Sequence, residues 1–112
     1  MKDLKRTIAI VCGGDSSEHD VSMHSAQGLY SFFDKERYNI YIVDVKGIDW
    51  HVELEDGTSA PIDKNDFSFI ENGKHIEFDY AYITIHGAPG ENGIMQGYFD
   101  LIHQSYFHQR RA

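Results

Sequence analysis

An unbroken apolar run, Thr7-Ile8-Ala9-Ile10-Val11, ends in Cys12-Gly13-Gly14 and gives way to Asp15-Ser16-Ser17-Glu18-His19-Asp20-Val21-Ser22. A strand with no polar alternation has no face to show to water, so it predicts a sheet covered on both sides. Paired glycines followed by hydroxyl and acidic residues mark a tight turn and a helix start. In open α/β sheets ligands gather beyond the carboxyl ends of the strands, so this junction is a candidate site.

The rest of the chain fits such a sheet. A helix is predicted from Ser17 to Asp34, with Ser17 and Asp20 spaced as a capping box. Ala26, Leu29, Tyr30 and Phe33 form one apolar stripe, and Ser25 and Gly28 are small enough for close packing. Tyr38 to Val45 reads as a second strand, completing a βαβ unit. Residues 47–79 carry Gly47, Asp56-Gly57, Pro61 and Asn72-Gly73 among many charges, and are predicted to be an insertion of small hairpins. Asp79 to Ile85 reads as a third core strand. It runs into a second glycine-rich loop, His86-Gly87-Ala88-Pro89-Gly90-Glu91-Asn92-Gly93. A helix from Gly93 to Gln104 is expected to bury Ile94, Tyr98, Leu101 and Ile102. Residues 1–104 thus read as one domain, and the basic, aperiodic stretch 105–112 as a frayed or altered tail. The fold class is a three-layer α/β domain with a mainly parallel sheet and inserted hairpins.

Charge narrows the function. A net charge of -8 argues against nucleic acid and anionic membrane as partners. A phosphate ligand stays open, because backbone amides at a helix start need no lysine. The lone Cys12 allows no internal disulfide, and no signal-peptide core or membrane-length run is present, so a cytoplasmic location is expected. The seven histidines, at 19, 24, 51, 75, 86, 103 and 108, include no i, i+4 pair, so no metal site is predicted.

The stretch Gly13-Gly14-Asp15-Ser16-Ser17-Glu18-His19-Asp20-Val21-Ser22 resembles the amino-terminal signature of D-alanine–D-alanine ligases. There a strand ends in Gly-Gly and leads to Ser-x-Glu-x-x-Val-Ser. The second loop, from His86 through Gly87, Gly90, Glu91 and Gly93 to Gln96-Gly97, resembles the His-Gly-x-x-Gly-Glu-Asp-Gly-x-x-Gln-Gly signature of the same family. The chain departs from it at Asn92 and after Ile102. The resemblance implies a Rossmann-like domain of the type that precedes ATP-grasp domains. It covers only the first third of such an enzyme. The implied reaction joins two D-alanines at the expense of ATP, for peptidoglycan precursors. ATP and magnesium are expected in the full enzyme and not in this part of it. The implied partners are D-alanine, the absent ATP-grasp domains and a second copy of the chain in a homodimer.

The same resemblance makes Glu18 the catalytic-site carboxylate that takes the ammonium of the first D-alanine. It also places Val21, Ser22, His86 and Gly87 around that substrate. Gly13, Gly14, Gly90 and Gly93 then serve the backbone of the two loops. Each has a plainer alternative. An acid in a first helical turn complements the positive helix end, a hydroxyl can be a cap, and a valine can be core. Two rival functions follow from the residues: a non-catalytic dimerisation or small-ligand module, and a flavodoxin-like or nucleotide-binding domain. The second is disfavoured by Asp15, Glu18 and Asp20 crowding the first loop.

Overall fold

The computed structural model describes residues 5–14, 19–84 and 93–108. The first strand, β1 (Arg6–Gly13), is buried from Ile8 onward. Helix α1 (His19–Phe32) leads to β2 (Tyr38–Lys46), which pairs with β1 in parallel, Ile8 opposite Ile40 and Gly13 opposite Val45. The predicted βαβ unit is therefore present. Ser17, half of the expected capping box, lies outside the described residues.

Residues 47–79 divide in two. Strands β3 (Asp49–Glu53) and β4 (Ser59–Pro61) turn back at Asp56-Gly57, as the turn residues predict. They are not a separate insertion, however. β3 pairs antiparallel with β2 and β4 with β3, so both continue the central sheet. Strands β5 (Ser68–Glu71) and β6 (Lys74–Glu77) do form a separate two-stranded hairpin around Asn72-Gly73. Phe67, just before β5, takes a positive φ of 55° and is fully buried. Its ring meets Phe99 at 4.8 Å and Phe78 at 5.2 Å, contacts that offset the backbone strain.

Strand β7 (Tyr80–Ile83) pairs in parallel with the other side of β1. Helix α2 (Ile94–Leu101) then crosses to β8 (Tyr106–His108), parallel to β7. The expected fray at 105–112 is corrected here for residues 106–108: Tyr106 lies opposite Ala81, and the rings of Tyr82 and Phe107 meet at a tilt with centroids 5.1 Å apart. A short sheet strand needs little periodicity of its own when its neighbour supplies the register. Among the described residues the central sheet has six strands, in the order β4-β3-β2-β1-β7-β8.

Sheet alternation splits the core in two. Ile8, Ile10, Cys12 and Ile40 face α1 and its stripe of Met23, Ala26, Leu29, Tyr30 and Phe33. Ala9, Val11, Val43, Val45 and Ile83 face the opposite way, onto α2 and an aromatic cluster of Phe67, Phe69, Phe78 and Phe99. Helix α2 buries Met95 and Phe99, while Ile94 and Leu101 are 59% and 78% exposed. The expected face of α2 is thus corrected at Ile94 and Leu101, while Tyr98 and Ile102 do pack against the core. The apolar residues of α2 span one broad arc opposite Gln96, Gly97 and Asp100, and the waiting aromatic cluster centres that arc on Met95 and Phe99, leaving Ile94 and Leu101 at its outer edge. The helix also ends earlier than Gln104. His103 turns left-handed at φ 61°, and the Ile102 amide closes the last turn on the Tyr98 carbonyl.

Candidate functional site

The topology locates the site before any side chain does. From β1 the chain crosses by α1 to β2 on one side. From β7 it crosses by α2 to β8 on the other. The strand order therefore reverses between β1 and β7, and the crevice beyond their carboxyl ends is the switch point where doubly wound sheets take ligands. The strand ends there are Gly13-Gly14 and Ile83-Thr84, from which the two glycine-rich segments leave.

Gly13 and Gly14 have φ of +98° and +107°, a region that excludes L side chains. A Cβ on Gly13 would stand 2.6 Å from the Val45 carbonyl oxygen and 2.4 Å from Asp44 Oδ1. The Gly14 amide donates to that same Val45 carbonyl. The glycines thus let β1 end hard against β2, as their spacing predicts. Gly93 also takes a positive φ, 85°, just before α2.

Ser22 sits on α1 facing the sheet and is fully buried. Its Oγ accepts the Gly13 amide at 3.0 Å and donates to the Thr84 carbonyl at 3.1 Å. Thr84, also buried, donates both its amide (2.8 Å) and its hydroxyl (3.1 Å) to the Val11 carbonyl. Ser22 continues the α1 stripe at helical spacing, with Ala26, Leu29 and Phe33. A hydroxyl on a buried stripe must find partners. Helical spacing thus signals a buried, bonded hydroxyl at 22, and the fold supplies its partners. Glu18, His86, Gly87 and Gly90 lie outside the described residues, as does the side chain of Val21.

Cys12, on β1 beside the turn, is buried with its Sγ 3.3 Å from the Val43 carbonyl and 3.3 Å from Met23 Sδ. Burial pushes its thiol far above the ordinary range, and the nearby Asp44 and Glu53 carboxylates add to this. It is a packing residue and not a nucleophile.

One grouping could not be read from linear spacing. Asp44 on β2 lies opposite His51 on β3, and Glu53 shares the same sheet face two residues on. His51 Nε2 is 3.2 Å from Glu53 and 3.7 Å from Asp44, while Nδ1 is 3.6 Å from Asp49. Asp44, His51 and Glu53 have the spacing to hold an ion, as do the exposed Asp66, His75 and Glu77 on the hairpin. Both sets read equally well as ion-pair clusters. A cleft of about 760 Å³, lined by Tyr30, Tyr38, Tyr41, Leu54 and Ile70, opens at the amino-terminal half of β2. That is the wrong end of the sheet for a switch-point ligand. Among the described residues no helix is long and apolar enough to cross a membrane.

Residues 7–108 match the family described as the D-ala D-ala ligase N-terminus. The chain belongs to this family. It is 71% identical over 99 residues to the D-alanine–D-alanine ligase of Phocaeicola vulgatus, covering 88% of this chain and 31% of that protein. It is 61% identical over 103 residues to the corresponding ligase of Bacteroides thetaiotaomicron, covering 92% and 32%. In structure it resembles D-alanyl-alanine synthetase A of Vibrio cholerae, with a TM-score of 0.78 at 29% identity, over 95% of this chain and 32% of that one. The chain therefore spans about a third of the length of these relatives. The fold and family expected from the two signatures both hold.

Proposed function

We propose that this chain is the amino-terminal domain of an ATP-dependent ligase that joins two D-alanines for peptidoglycan precursors in the cytoplasm, and that it forms one wall of the first D-alanine site. The observation that carries this reading is the switch point. Both family signatures leave from the two adjacent strand ends, Gly13-Gly14 and Thr84, tied together by Ser22. In this reading Glu18 takes the substrate ammonium, Val21, His86 and Gly87 help to bound it, and Gly90 serves the second loop. A fixed carboxylate selects an amino-acid cation and orients its carboxylate for phosphorylation, which is catalysis by positioning.

The described residues at this edge do not suit a nucleotide. Asp44 is buried against Gly13, where a phosphate would have to approach. The family's ATP and magnesium are accordingly assigned to segments beyond residue 108, and the domain's own part is to bind and orient the amino acid. Homodimerisation is a second proposal. Its support is Phe32 on α1, 86% exposed; Leu101, 78% exposed, lies on α2 across the sheet and makes no common patch with it. Sedimentation of the chain as a monomer at micromolar concentration would remove it.

Phosphate release with ATP, magnesium and D-alanine tests the main reading. The protein extended through the ATP-grasp domains should turn over, and the 112-residue chain alone should not. Glu18→Gln in the extended protein should raise the D-alanine requirement strongly. An extended protein inactive with D-alanine would overturn the ligase reading. One active but indifferent to Glu18→Gln would reduce Glu18 to a helix-start acid.

A further inference from the structure

We propose that Ser22 is a positioning residue for the D-alanine site, fastening with one hydroxyl the two strand ends from which both signature segments leave. The inference rests on the ligase reading and adds to it a residue that acts without touching substrate. A serine hydroxyl has one proton to give and lone pairs to accept with. Here the proton goes to the Thr84 carbonyl and a lone pair takes the Gly13 amide, and the side chain is fully buried. The proton is committed, and full burial closes the remaining lone pair off from a ligand's ammonium, so the family's signature serine serves the frame.

What the hydroxyl adds is a link where the sheet stops providing one. The β1–β7 pairing runs from Ile8 opposite Tyr80 to Val11 opposite Ile83 and ends there. Thr84 still reaches back to the Val11 carbonyl, but Gly13 has passed the last rung. Ser22 bridges that gap from above, tying residue 13 to residue 84 through α1. Glu18 is four residues beyond Gly14, and His86 two beyond Thr84. The separation of the two anchor points therefore sets where both segments begin. An alanine at 22 would leave a buried amide and a buried carbonyl without this partner and let the anchors drift. Small misplacements of binding groups cost rate or affinity well out of proportion to their size.

The test uses the protein extended through its ATP-grasp domains, as wild type, Ser22→Ala, Ser22→Cys and Ser68→Ala. Ser68 is a buried hydroxyl on the distant hairpin that donates to Asp66, so its loss matches the destabilisation without touching the anchors. Ser22→Ala is expected to raise KM for D-alanine about tenfold, the equivalent of one buried hydrogen bond, with KM for ATP within about twofold of wild type. Ser22→Cys, similar in size and a weak donor, should fall between, and it carries the test if the alanine variant does not fold. Amide exchange at Gly13 should speed up in Ser22→Ala and not in Ser68→Ala. The proposal is overturned if the Ser22 variants keep the wild-type D-alanine KM and kcat, if both KM values rise alike, or if Ser68→Ala reproduces the effect. A wild-type extended protein that makes no D-alanyl-D-alanine overturns the ligase reading, and this proposal with it.

Discussion

Replacing Gly13 with alanine tests the physical basis of the switch point directly. At φ +98° an L residue is strained by about 1–2 kcal/mol. The new methyl would also press on Val45, 2.6 Å from its carbonyl oxygen and 3.0 Å from its nitrogen. Both are backbone atoms of β2, held along an eight-residue parallel register with β1, and cannot step aside cheaply. Asp44 Oδ1, at 2.4 Å, belongs to a side chain and has more freedom. Overpacking of this kind costs about 1–3 kcal/mol, so the sum is about 2–5 kcal/mol. For a chain of this size that lowers Tm by about 10–20 °C. Gly28→Ala supplies the opposite case, because nothing lies within 4 Å of a Cβ there and the residue is helical. It should gain about 0.5–1 kcal/mol and raise Tm by a few degrees. Circular dichroism melts of the two variants beside wild type decide the matter. If Gly13→Ala melts within about 2 °C of wild type, the close approach of β1 to β2 is wrong.

Two further outcomes follow from the same structure. Cys12, buried and with its thiol pushed up, should not react with a thiol-specific disulfide reagent in native buffer and should react stoichiometrically in guanidinium; rapid native labelling would refute its packing role. Tyr98 has its phenol pushed up to about 12, by burial first and then by the Asp66 and Asp63 carboxylates. A folded pKa above the unfolded value means that its stabilising contribution is complete below about pH 10 and is lost as pH rises toward 12. Tyr98→Phe should therefore flatten the alkaline fall in stability between pH 10 and 12. An unchanged alkaline limb would refute the assignment.

How much of this was legible in the sequence depends on how local the deciding contact is. β1 and α1 were readable because their own residues carry the pattern: five apolar positions in a row, and a stripe from Ala26 to Phe33. The turn at Asp56-Gly57 was equally visible, yet whether β3 joins the sheet depends on Val52 lying opposite Val43, a pairing no local signal records. The buried face of α2 is set by Phe67 and its neighbours, some thirty residues away, so the helix alone points to Tyr98 and Ile102 but not to Met95 and Phe99 in place of Ile94 and Leu101. β8 was missed for the same reason, since its register belongs to β7. At the site, the glycines were legible because a positive φ demands them. The bond from Ser22 to Thr84 spans 62 positions, and only the fold closes it.

The charge on the strands beside the switch point also bears on what this domain can do alone. Asp44 on β2, next to Gly13, and Asp49 and Glu53 on β3 gather around His51, in a chain of net charge -8. Carboxylates placed so attract an ammonium group and repel a triphosphate. On the ligase reading this suits a wall that receives an amino-acid cation, and it requires the cations that meet ATP to come from segments beyond residue 108. The 112-residue chain should accordingly give no binding heat with magnesium ATP at millimolar concentration and low ionic strength, where electrostatic repulsion is least screened. A titration showing saturable nucleotide binding would refute this argument from charge.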